Sequence, residues 1–155
     1  MGKLVWQDSL NTGISVIDAQ HRRIVEFINQ LHDARKTEDR QHIGDVIDGL
    51  VDYTVSHFAF EEALMEDAGY EFVRGHRKVH ELFIRRVAQF QTKFKAGEDV
   101  AEGLHRLLSR WLFGHIRNED SGYVSAVLPE VQHLVAEERP GGWLANTLGR
   151  FFRRA

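Results

Sequence analysis

Cysteine is absent from this 155-residue chain. That excludes disulfides, zinc–thiolate sites and thiol nucleophiles together, and it gives no sign of an oxidising compartment. Only two prolines occur, Pro129 and Pro140, so everything before residue 129 is free to run as long helix. No stretch is long and apolar enough to span a bilayer. Residues 1–10 contain no apolar run of the kind a secretory signal carries, and a cytoplasmic protein is expected. Strand-type alternation, internal repeats and low-complexity segments are missing as well. The chain is long enough to bury a real core as one domain.

Positive charge is scarce except at one end. The formal net charge is −3, and residues 139–155 hold four arginines and no acid. Residues 1–138 therefore stand at −7, with 16 basic against 23 acidic side chains. An acidic body argues against nucleic-acid binding, and no such partner is expected.

Histidine is abundant: nine residues of 155. Their placement follows the apolar periodicity. Apolar residues recur at steps of three and four, the period of a buried helix face. The first stripe is Ile17, His21, Ile24, Ile28 and Leu31, with Asp18 or Ser15 available to cap its start. The second runs Ile43, Ile47, Leu50, Thr54, His57, Glu61 and Leu64. His76, His80, Phe83, Val87, Phe90 and Phe94 form the third. The fourth is Leu104, Leu108, Trp111 and His115, after which Asp120, Tyr123 and Val127 continue a stripe offset by one residue. Short breaks fall at 37–40, 67–72 and 96–99, and connections this short favour antiparallel neighbours.

The fold expected is therefore all-α: an antiparallel up-down four-helix bundle. Leu4, Val5 and Trp6 lack a helical period and are expected to form an extended arm packed on the bundle. A short helix through about residue 137 is expected after Pro129, then a break at Pro140-Gly141-Gly142. The bundle domain is placed at residues 1–138 and a basic C-terminal extension at 139–155. In that extension Trp143, Leu144, Leu148, Phe151 and Phe152 share one side of a short amphipathic helix, and Asn146, Arg150, Arg153 and Arg154 mark the other. It either folds back on the bundle, lies on an anionic membrane surface or docks a partner helix. A monomer is expected.

Seven polar residues lie on the inward stripes: His21, His57, Glu61, His76, His80, His115 and Asp120. Burying each unpaired would cost about 1–3 kcal/mol, and more for a charge. One shared partner satisfies all of them, and that partner is metal. A single His on an apolar face is more often a satisfied core residue; five with two acids, in register on four stripes, are not. His57 and Glu61 are four apart and point to one side of their helix, as do His76 and His80. His115 and Asp120 are five apart, which requires one wide turn in an otherwise regular helix. Imidazole suits iron, copper, zinc or nickel, and carboxylates bridge two hard cations. Two six-coordinate ions would be filled by five imidazoles, two bridging carboxylates and one solvent-derived bridge, except for a single position on one ion. Gly75 and Gly114 precede ligand histidines and either admit a close neighbour or are neutral. His32, His42, His105 and His133 lie off the ligand stripes and are read as surface or rim residues.

These residues resemble the hemerythrin family, specifically its single-domain bacterial members. The matching motifs are Ile17-Asp18-Ala19-Gln20-His21, His57-Phe58-Ala59-Phe60-Glu61, His76-Arg77-Lys78-Val79-His80, and His115-Ile116 with Asp120, and the resemblance covers about residues 4–134. It implies two irons with an oxo or hydroxo bridge. His76, His80 and His115 would hold one iron, and His21 and His57 the other, which keeps the open position; Glu61 and Asp120 would bridge. It implies O2 as the ligand, bound reversibly and end-on at that position for storage or delivery. The family's O2 pocket is apolar, and the matching positions here are Ile24, Phe58, Trp111, Leu112 and Ile116. Tyr123 matches a recurrent tyrosine three residues past the bridging Asp, and either donates a hydrogen bond near the site or packs. A carrier rather than an enzyme is expected, because the site is histidine-rich and lacks the Glu-x-x-His motif of O2-activating bundles. The alternatives are oxygen sensing through a partner protein, and a di-iron oxidase, peroxidase or nitric-oxide-handling enzyme.

Overall fold

The computed structural model describes residues 2–136 and 140–152, and every regular element among them is helical. Helix α1 spans Ser15–Arg35, α2 Arg40–Asp67, α3 Val73–Lys95 and α4 Ala101–His115. A π-helical turn over Ile116–Asp120 joins α4 to α5, Ser121–Val135. A last helix, α6, spans Trp143–Phe151. Helices α1 to α4 with α5 form the antiparallel four-helix bundle. No helix among the described residues is long and apolar enough to cross a membrane.

The turns are built as their residues require. Gly69 and Gly97 follow α2 and α3 with φ of 80° and 102°, a region that costs glycine nothing. The next residue closes each helix end: Tyr70 N donates to Met65 O and Glu98 N to Lys93 O. Asp39 caps α2 by accepting from the backbone N of His42. Asp18 is buried in the first turn of α1, where it accepts from Thr12 N, Thr12 Oγ1 and Gly13 N. It therefore ties down the loop before α1 in place of an ordinary N-cap.

Two apolar clusters fill the bundle, one on each side of a polar layer. Ile24, Ile28, Leu50, Phe58, Phe83, Leu108 and Leu112 belong to the first. Ile14, Ile17, Phe60, Leu64, Tyr123 and Val127 belong to the second. The α3–α4 seam is set by bulky aromatics: Phe83 stacks on Trp111 with centroids 3.8 Å apart, and Phe90 lies against Gly103. A Cβ at Gly103 would sit 3.0 Å from the Phe90 ring, and one at Gly44 would sit 3.0 Å from Phe94. Close approaches therefore fall at these glycines. A Cβ at Gly75 or Gly114 would meet nothing within 4 Å, so neither glycine is required by a close approach.

Three expectations change in the structure. Of the N-terminal arm, Leu4 and Trp6 pack on the bundle, with Leu4 N donating to Asn29 Oδ1 and Asn29 Nδ2 to Leu4 O. Val5 stays 73% exposed, because alternate residues of an extended segment face opposite ways. Pro129 does not start a new helix: α5 runs through it, with a kink at Val127 (φ −129°, ψ 23°). Proline removes one N–H and its ring crowds the carbonyl four residues back, so the backbone just before it bends.

The third concerns His105, which is 1% exposed rather than at the surface. Its ring lies 5.2 Å from that of half-buried His32, and its Nε2 has no hydrogen-bond partner. His42 and His133 are exposed. Burial, then the nearby His32 and Arg35, hold His105 below the usual histidine range. Its folded pKa lies below its unfolded one, so the stability it allows is present above about pH 6.5 and is lost as pH falls. His105→Leu should raise the urea midpoint at pH 7, by roughly 1–3 kcal/mol if nothing rearranges. The gain should widen at pH 5. An equal gain at both pH values would show that His105 does not titrate on unfolding.

Helix α6 folds back. Trp143 Nε1 donates to Asp67 Oδ2 at 2.7 Å, the Trp143 ring meets the edge of buried Phe60, and Phe152 packs beside Tyr53. Leu144, Leu148 and Phe151 join the same apolar cluster, while Asn146 and Arg150 face solvent. Arg139, Arg153 and Arg154 lie outside the described residues. The apolar side of the extension is thus spent on the bundle. Ending the chain at residue 136 should lower the stability measured in urea by on the order of 5 kcal/mol, from five half-buried side chains and a newly wetted Phe60. An unchanged midpoint would mean that α6 does not dock in solution.

Candidate metal centre

Seven side chains from α1, α2, α3, α4 and the π-helical turn meet between the two apolar clusters. His21, Glu61, His80 and Asp120 are 0% exposed, and His57, His76 and His115 are buried. The π-helical turn is what admits Asp120. One added residue in the turn carries a side chain five positions after His115 back onto the same face.

The donor atoms fall into two overlapping groups. Glu61, His76, His80, His115 and Asp120 offer atoms lying within 4.8 Å of one another, and so do His21, His57, Glu61 and Asp120. Both carboxylates belong to both groups. Within the first, His76 Nε2 is 3.1 Å from Glu61 Oε1 and 3.1 Å from Asp120 Oδ1. His80 Nε2 and His115 Nε2 face each other at 3.1 Å. Within the second, His21 Nε2 is 3.1 Å from Asp120 Oδ2, and His57 Nε2 is 3.6 Å from Glu61 Oε2. Asp120 Oδ1 and Oδ2 and His21 Nε2 are buried, yet they make no well-oriented hydrogen bond. Atoms this close but misaligned are aimed at shared points rather than at one another. Imidazole and carboxylate donors in these numbers fit a pair of iron ions.

Contacts behind the donors fix their tautomers. His57 Nδ1 donates to Gln20 Oε1 at 2.7 Å, which leaves the Nε2 lone pair for the site. His80 Nδ1 donates to Glu62 Oε2 at 2.9 Å, and Arg77 Nε holds the other oxygen of Glu62 at 2.9 Å. Sequence reasoning missed Gln20, Glu62 and Arg77. Gln20 carried a signal, since it stands beside His21; Glu62 and Arg77 look like ordinary solvated charges.

Electrostatics agree with a cation site. Burial and the Asp120 carboxylate push Glu61 up, but hydrogen bonds from His76 and His80 prevail and hold it at about 2. Asp120 is likewise well below the usual carboxylate range, with His115, His21 and His76 outweighing burial. Burial opposes charge on His76, yet Asp120 and Glu61 raise it to about 10. His21 and His80 are raised for the same reason, whereas burial carries His57 down to about 3. Two ionised carboxylates in a dry core thus draw protons onto their histidines unless metal cations take the protons' place.

The apolar surround has a definite order. Phe58 stacks on His80 with centroids 3.8 Å apart and planes 7° from parallel, and Trp111 stacks on His115 at 4.2 Å and 15°. Ile24, Phe58, Leu112 and Ile116 are at most 4% exposed, and Trp111 is half-buried. Tyr123 belongs elsewhere. It sits in the second apolar cluster, 0% exposed, and donates from Oη to Glu61 Oε2 at 3.3 Å. It therefore touches the carboxylate layer from the side away from Phe58 and Leu112. Its own ionisation is pushed well above the usual range by burial and by Glu61 and Asp120, so it is a neutral donor.

A match to the Hemerythrin HHE cation binding domain covers residues 12–127. The chain belongs to the hemerythrin family. It is 61% identical over 152 residues to a bacteriohemerythrin of Pseudomonas aeruginosa, covering 98% of this chain and 99% of that one. It is 35% identical over 125 residues to a bacteriohemerythrin of Methylococcus capsulatus, covering 79% of this chain and 95% of that one. The crystal structure of a wild-type hemerythrin superposes with a TM-score of 0.76 at 33% identity, over 80% of this chain and 97% of its own. The matched segment contains all seven converging donors.

Metal uptake must displace protons from His76, His80 and His21, so affinity should fall as pH falls. Chelator competition at pH 8 and pH 6 should show apparent ferrous affinity weakening by about tenfold per pH unit for each proton displaced. Proton release should be seen on loading in weak buffer. A pH-independent affinity would show that these histidines are neutral before metal enters.

Proposed function

We propose that the protein is a reversible dioxygen carrier, with O2 bound at a di-iron centre for storage or delivery. The observation that carries this reading is the inequality of the two donor groups. Both share Glu61 and Asp120, but one has three imidazoles and the other two. His76, His80 and His115 would complete one ion, and His21 and His57 would leave the other with a free position. When bound, two ferrous ions supply the electrons that hold O2 and recover them on its release.

The chain's own residues set the conditions for reversibility. Glu61 and Asp120, the carboxylates common to both donor groups, would hold both ions and balance their charge. Gln20 and Glu62 keep His57 and His80 in the tautomer that presents Nε2 inward. Ile24, Phe58, Trp111, Leu112 and Ile116 keep water and stray protons from the ligand, which protects it from release as a reduced oxidant. Tyr123 supports Glu61 from the other side with a neutral hydroxyl donor. None of the seven donors pairs as Glu-x-x-His, the spacing of O2-activating bundles; Glu102 with His105 and Glu130 with His133 have that spacing but lie outside the donor set. A cytoplasmic place, read from the cysteine-free sequence, and action as a monomer belong to the same proposal.

Anaerobic reconstitution with ferrous iron, followed by O2, should produce a visible charge-transfer band with two irons per chain. Purging with inert gas should abolish it, and the cycle should repeat. One-way oxidation with release of hydrogen peroxide would overturn the carrier reading in favour of an oxidase.

A further inference from the structure

The face where α3 meets α4 runs against the charge of the rest of the protein. Arg86 of α3 and Arg106 and Arg110 of α4 surround an open cleft of about 480 Å³, floored by Leu107 and Trp111. The body of the chain, residues 1–138, carries a net −7. Arg106 is shared with Glu102 of its own helix at 3.2 Å. Arg86 and Arg110 are exposed and make no ion pair among the described residues. Exposed guanidiniums gathered around an apolar floor are suited to carboxylates of an incoming surface, which their planar forks bind in pairs.

What lies beneath the floor gives the cleft a purpose. Trp111 is half-buried, and its ring stacks on His115 at 4.2 Å and 15°. His115 Nε2 is 3.2 Å from Asp120 Oδ1 and 3.1 Å from His80 Nε2. One aromatic side chain therefore spans the distance from the basic cleft to the donor set. The other half-exposed tryptophan near the site, Trp6, lies 6.5 Å from His21 and is tilted by 32°, so it offers no comparable stack.

We propose that this cleft docks an acidic one-electron donor protein, of the iron–sulfur or flavin class, and that Trp111 and His115 conduct its electrons to the centre. The inference rests on the carrier reading: a carrier whose irons have been left ferric binds no further O2 until both are reduced. Two donor molecules dock in turn, and each is oxidised by one electron. Reducing a ferric pair to the ferrous state would take the two electrons, one from each donor, and one proton from solvent. Charge complementarity speeds encounter, and the aromatic floor of the cleft sets the donor against the conducting ring.

The test uses the full-length, iron-loaded protein in its ferric form, mixed without air with a reduced plant-type [2Fe–2S] ferredoxin, an acidic donor. The second-order rate should fall steeply as salt rises. Reversing charge with Arg86→Glu and Arg110→Glu together should slow it by about tenfold or more at low ionic strength. The milder pair Arg86→Gln and Arg110→Gln should give an intermediate rate. Calorimetric titration with oxidised ferredoxin should show weaker binding in the same order. Reduction by dithionite, and the O2 band formed afterwards, should be unchanged in all of them. A rate indifferent to salt and to both pairs would overturn the proposal. So would a wild-type rate suppressed by inorganic phosphate at constant ionic strength without loss of ferredoxin binding, which would mark a small-anion site. Failure of dithionite-reduced wild type to give a reversible band would count against the carrier reading alone, since docking is measured by ferredoxin binding and rate.

Discussion

Two ionised carboxylates, Glu61 and Asp120, sit at zero exposure between two apolar clusters, and the rest of the molecule is arranged around that fact. A buried charge without a partner is far too costly for a domain stable by only about 5–15 kcal/mol. The chain answers with five imidazoles drawn from four helices, close enough to share protons or cations with both acids. Removing one donor would strand the others, so the polar layer stands or falls as a unit. The bundle's helices cannot slide past one another without breaking it. The same layer that creates the metal centre thus sets the register of the fold.

That requirement explains the local irregularity. A regular helix carries His115 inward and turns a residue five places later away. The π-helical turn over Ile116–Asp120 brings Asp120 back, and α5 then continues on the offset stripe through Tyr123 and Val127. The wider turn costs hydrogen-bond geometry, and the polar layer repays the helix by fixing Asp120 against His21, His76 and His115. Packing above and below then differs in kind. On one side lie the stacked rings of Phe58 and Trp111, which make a dry wall. On the other, Tyr123 adds a single hydroxyl, and α6 closes the end of the cluster with Trp143 and Phe152.

The two donor groups are unequal: both share Glu61 and Asp120, but one has three imidazoles and the other two, so on the proposed carrier reading one ion would be left with a free position. Gln20 and Glu62 refine this by fixing which ring nitrogen faces inward, and Arg77 anchors Glu62 in turn. Function therefore lives in a short chain of hydrogen bonds running outward from the core to the surface of α2 and α3.

The helices, their order, the seven inward polar residues and the need for a wide turn after His115 are legible in the residues alone. Each of these is local: a polar residue on a stripe of period 3.6 contradicts its neighbours, and the contradiction is visible without any coordinates. The five-residue spacing of His115 and Asp120 is of this kind. What lies across helices is fixed only by their packing. Gln20 meets His57 from 37 residues away, Glu62 meets His80 from 18, and Tyr123 meets Glu61 from 62. His105 is buried against His32, and α6 folds onto Phe60 instead of leaving the bundle. The residues on either side single out Gln20 and Tyr123 as candidates but do not specify which partner each meets, because helix register and crossing are set by the sum of many contacts, and a polar side chain reads the same whether its partner is water or a neighbouring helix.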